Sequence, residues 1–245
     1  MRSVSRAVTG RTAQSIEKLV KKVVAEVNAK CKNSAAWLKI KEPAKRGDCS
    51  GDGRLAAHTY GDEFDAKRLK MFADVRKVLQ NPSPTRDNGA DVTINVLAAG
   101  SGMGKSHFID RAATMELESQ KFTDFLRIVV TFNGEMSGTL RFPLAARLLL
   151  SYFCGAPTTD EETTSFQDAL KNVSQELLSF GFKFDELDDQ VKLATAVVAA
   201  IEENFCAGRR AELSKVRTVL LIDEISKTSL LVRAGCLCVS NALTC

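Results

Sequence analysis

Ala99-Gly100-Ser101-Gly102-Met103-Gly104-Lys105-Ser106 gathers three glycines, a lysine and two hydroxyls within eight residues. Glycines at alternate positions let a backbone take turns that other residues resist, and bring its amides close to an anion. A helix beginning near Lys105 adds its positive end to the same place. Lys105 then supplies a point charge to the β- and γ-phosphates of a nucleotide, and the Ser106 hydroxyl is an oxygen ligand for magnesium. The strict form of this phosphate-binding loop opens with glycine, and Ala99 stands there instead. The expected contacts to a nucleoside triphosphate come from Gly100, Ser101, Gly102, Met103, Gly104, Lys105, Ser106 and His107.

A second acidic motif follows Lys105 by 118 residues: Val219-Leu220-Leu221-Ile222-Asp223-Glu224. Four apolar residues suit a buried parallel strand, whose C-terminal end is where such sheets bind ligands. Asp223 is expected to hold magnesium together with Ser106, and Glu224 to accept a proton from an attacking water. The acidic motif alone is a weak signal, but downstream of the glycine loop the two motifs predict each other.

These residues need elements to position them. Val92–Ala98 is rich in β-branched residues, reads as a strand and runs straight into the glycine loop, after which a helix is expected to about Glu118. Leu126–Phe132 reads as a second strand, with Glu135 just beyond its end. Helices are expected over 141–153, about 164–180 and about 189–205. Ala145, Leu148, Leu149 and Tyr152 line the first; Leu193, Ala196, Val197, Ala200 and Ile201 line the last. These are stripes of sheet-covering helices. Asp160-Glu161-Glu162 reads as a solvated helix start, and Arg209-Arg210 as a surface pair at the sheet edge away from nucleotide.

Ahead of the loop, Ile16, Leu19, Val20, Val23, Val24 and Val27 recur at helical spacing, with lysines on the other face. Residues 41–54 read as a loop, and Trp37 as a packing anchor. A second helix is expected over 62–80, ended by Asn81-Pro82-Ser83-Pro84. Residues 81–91 are the clearest boundary in the chain. They divide a basic, mainly helical region, 1–88, from a nucleotide-binding domain, 89–245.

The 34 basic and 30 acidic residues leave a net charge of +4, too little for a wholly nucleic-acid-binding chain. The distribution is uneven, at 19 Lys/Arg against 10 Asp/Glu over residues 1–90 and 15 against 20 over the remainder. The front half could therefore meet a nucleic acid or a protein partner. The most apolar stretch, Ala194–Ile201, falls far short of the roughly 20 residues that span a bilayer. Seven cysteines in no framework spacing, with no apolar secretory segment, suggest reduced thiols in an intracellular protein. Arg2, Arg6 and Arg11 precede the first acid, Glu17, and fit a basic tail or a mitochondrial presequence.

Together the motifs resemble those of P-loop ATPases of the branch with an additional strand and a catalytic glutamate, as in the AAA+ and STAND groups. Within that branch, VLAAGSGMGKS, VVTFNGEMSG and VLLIDEISK resemble the ATPase region of Crinkler-type effectors and trypanosomatid retrotransposon hot spot proteins. The resemblance implies an α/β fold, a three-layer parallel sheet, with ATP and Mg2+ as ligands and Lys105 and Glu224 as catalytic residues; it also hints at the nucleus. In that branch a strand carrying a polar sensor inserts between the loop strand and the Asp223 strand, with an arginine finger beyond. Only 21 residues follow Glu224. Cys236–Asn241 would be reached by a connection too short for the usual helix and return, and Arg233 alone could serve as a finger. The expectation is a sheet incomplete at its C-terminal side, in a truncated or frameshifted copy of a longer protein. Two alternatives to an ATPase stay open: a nucleotide-binding regulatory module without turnover, and a basic nucleic-acid-binding protein with a remnant loop.

Overall fold

The structure is a computed structural model that describes residues 2–30, 38–47, 109, 112, 117–119, 122–131, 144–155, 160–179 and 187–223, with six positions between 70 and 80. The first helix, α1, spans Arg2–Lys30. An extended strap, 38–47, follows and contains a single 3-10 turn at Pro43–Lys45. Strand β1 is Asp124–Thr131. Three helices come next: α2 (Leu144–Cys154), α3 (Asp160–Ser179) and α4 (Leu187–Arg209). A 3-10 turn at Leu213–Lys215 leads into strand β2, Val216–Asp223.

β1 and β2 pair in parallel, in a continuous register from Asp124 opposite Val216 to Thr131 opposite Asp223. Parallel neighbours cannot be joined by a hairpin, because the chain must return to the same end before starting the second strand. Helices α2, α3 and α4 make that return. Leu126, Ile128 and Val130 alternate onto one face of β1 and join the core, with Leu220 and Ile222 of β2 packed against it. The described residues thus form helices around a parallel strand pair, an α/β arrangement.

α2 is apolar almost all round, and every residue from Leu144 to Leu150 is buried. A helix of that composition belongs in the middle of a fold. It packs against β1, α3 and α4, while α1 lies across α3 and α4. The whole expected stripe of α1, from Ile16 to Val27, is buried in the same core. At roughly 1.5–3 kcal/mol for each fully buried aliphatic side chain, this stripe is a principal reason for α1 to dock.

Several boundaries differ from the sequence expectations. The segment expected as a basic tail is helical from Arg2. No proline interrupts it, and extending a formed helix fixes one residue per added hydrogen bond. The helix after the glycine loop is described at Ile109 and Ala112, but 117–119 are irregular, so it ends before Leu117. In α4, Ala196 is exposed, and Ala194 and Val198 are buried in its place. The buried arc centres on Ile201, and at 100° per residue Ala196 falls just beyond its margin. Six positions within 62–80 are described, and all six are helical. The expected boundary over 81–91 and the strand over 92–98 lie outside the described residues.

Candidate functional site

Asp223 is the last residue of β2, in register with Thr131, the last of β1. Two parallel strands in register end at the same edge, so the second acidic motif stands at the C-terminal edge of the pair. The opposite edge is built differently. There Arg209 approaches Asp124 at 4.0 Å and lies over the Phe205 ring at 4.8 Å. Arg217 lies over Phe122 at 5.5 Å, and the amide of Thr123 donates to the carbonyl of Lys215 at 2.9 Å. The arginine before β2 is therefore a full strand length from Asp223. The eight loop residues Gly100, Ser101, Gly102, Met103, Gly104, Lys105, Ser106 and His107 lie outside the described residues, as do Glu135, Glu224, Arg233 and Cys236–Asn241. Among the described residues, no group of three or more His, Cys, Asp or Glu side chains is placed to hold a metal ion.

The strap joins this sheet to α1. Asn28 of α1 brackets Leu38, its amide nitrogen donating to the Leu38 carbonyl at 2.9 Å and its oxygen accepting from the Leu38 amide at 3.4 Å. The Lys41 amide donates to the carbonyl of Phe153 at 2.7 Å. At the far end, the carbonyl of Gly47 accepts the amide of Arg127 at 2.9 Å, a donor that the ladder with β2 does not use. Gly47 has φ of +67°, and a Cβ there would sit 2.4 Å from Leu126 Cδ1. Only glycine allows both that backbone shape and that approach.

Between these anchors, Arg46 is 3% exposed, and each of its three guanidinium nitrogens donates a hydrogen bond. Its Nη2 donates to Glu17 Oε1 at 3.2 Å, its Nη1 to Asn204 Oδ1 at 3.0 Å and its Nε to the Lys41 carbonyl at 3.0 Å. The guanidinium also lies over the Phe153 ring at 4.7 Å. Asn204 in turn donates to Glu17 Oε2 at 2.7 Å and accepts from the Tyr152 hydroxyl at 2.9 Å. Burial by itself would raise the Glu17 carboxyl, but hydrogen bonds from Lys21, Arg46 and Asn204 outweigh it and hold the group at about 2. Burial pushes the Tyr152 hydroxyl up. Burial likewise pushes the Cys154 thiol up to about 12. A thiol so protonated is a poor nucleophile.

This cluster was not among the sequence candidates, although two signals pointed to it. Asn204 falls on the apolar arc of α4, three residues after Ile201 and four after Ala200. Glu17 borders the stripe of α1 between Ile16 and Val20. The partner that explains both, Arg46, lies in a stretch read as a loop. A second half-buried acid, Glu202, meets the Thr218 hydroxyl of β2. Burial raises the Glu202 carboxyl, and the Thr218 hydrogen bond opposes that rise without cancelling it.

No protein-family model matches the chain, and neither a curated protein nor a solved structure matches it.

Proposed function

We propose that the chain binds a nucleoside triphosphate, ATP with Mg2+, at the C-terminal edge of an α/β sheet of the P-loop kind, and hydrolyses it. One observation carries this reading: Asp223 closes a strand that runs parallel and in register with 124–131. A carboxylate motif at the N-terminal edge, or an antiparallel pair, would have contradicted it. The resemblance of the glycine loop and of VLLIDE to P-loop ATPases supplies the rest.

Two further features agree with a larger, three-layer sheet. Val129 and Val219 are 9% and 4% exposed, although they alternate onto the face of the strands away from the α2 and α4 core. Parallel sheets are covered on both faces. Gly47 also takes a backbone donor at the outer side of β1, so in this reading further strands join the sheet at β2.

Asp223 and Ser106 offer the hard oxygen donors that suit magnesium, and they would hold it. Bound there, the ion would neutralise charge on the β- and γ-phosphate oxygens. Lys105 and the loop amides would hold the same oxygens, aimed at charge that develops as the γ-phosphoryl group leaves. Glu224 would orient the attacking water and accept its proton.

Titration calorimetry with ATP, with and without magnesium, on wild type and Lys105→Ala tests the binding step. Tight binding lost in the variant supports the reading; equal weak binding by both removes it. Phosphate release from the wild type then separates an ATPase from a nucleotide-binding regulatory module, in which binding persists without turnover.

A further inference from the structure

We draw no further inference here: the strongest candidate, the half-buried Glu17–Arg46–Tyr152–Asn204 cluster where α1, the strap, α2 and α4 meet, directs its polar groups at one another, so it remains the structural tie already described.

Discussion

The amide of Arg127, in the middle of β1, donates to the carbonyl of Gly47 at 2.9 Å. Among the described residues, the strap that follows α1 thereby covers the side of β1 away from β2, 80 residues further along the chain. An open strand edge invites pairing with other chains, and a covering loop is one of the standard ways to prevent it.

Gly47→Ala tests that closure. The new methyl group would meet Leu126 Cδ1 at 2.4 Å and Phe205 at 3.1 Å, on a backbone with φ of +67°. Left-handed strain and overpacking together should cost about 2–4 kcal/mol in urea unfolding. A variant with an unchanged midpoint would show that the strap does not hold the edge.

Arg46 and Glu17 should be strongly coupled. Arg46→Met removes the buried charge of a pair whose carboxylate is half-buried, and leaves Glu17 with Lys21 and Asn204 alone. We expect a loss of about 2–4 kcal/mol, below the largest buried-pair values because Glu17 keeps those two partners. A double-mutant cycle with Glu17→Gln should return a coupling of about 1–3 kcal/mol. Strict additivity would mean that the contact is incidental. Tyr152→Phe, which removes only the hydroxyl donor to Asn204, should cost about 1 kcal/mol.

Two carboxyls give opposite dependences on pH. Glu17 falls from 4.5 when unfolded to about 2 when folded, so its contribution is complete above 4.5 and is lost as pH falls through 2. By linkage, and reduced by solvent screening of a partly exposed group, this amounts to about 1–2 kcal/mol. Glu202 is raised, so its contribution is present below the ordinary carboxylate range and is lost as pH rises through its folded value. Unfolding free energy measured from pH 2 to 7 should show a shallower acid limb in Glu17→Gln than in wild type. Glu202→Gln should stabilise the protein at pH 7 and match wild type in acid. Superimposable curves for either variant would contradict its assignment.

At the proposed nucleotide site, Asp223→Asn should weaken the magnesium dependence of ATP binding while leaving metal-free binding in place. Glu224→Gln should keep affinity and reduce phosphate release by about 10²–10⁴-fold. Retained turnover in Glu224→Gln would move the general base elsewhere. A loss of folding, read by circular dichroism, would be distinguished from both by the unfolding midpoint.

Much of this fold is legible in the linear chain, because hydrophobic period reports local structure directly. The stripe from Ile16 to Val27, the runs around 126–131 and 219–222, and the three intervening helices all follow from it; the start of the second strand at Val216 does not. So does the location of Asp223 at a strand end. What period could not reveal is which distant residues share a buried space. Glu17, Arg46, Tyr152 and Asn204 lie up to 187 residues apart, and nothing local marks Arg46 as a buried charge. The exposure of Ala196 was equally invisible, since the centre of a helix's buried arc depends on what packs against it. Side-chain types and spacing determined the elements and the chemistry they could carry. Only the tertiary structure decided the parallel register of β1 with β2 and the strap's hold on β1. Both depend on long-range contacts whose partners are chosen by shape and charge in three dimensions.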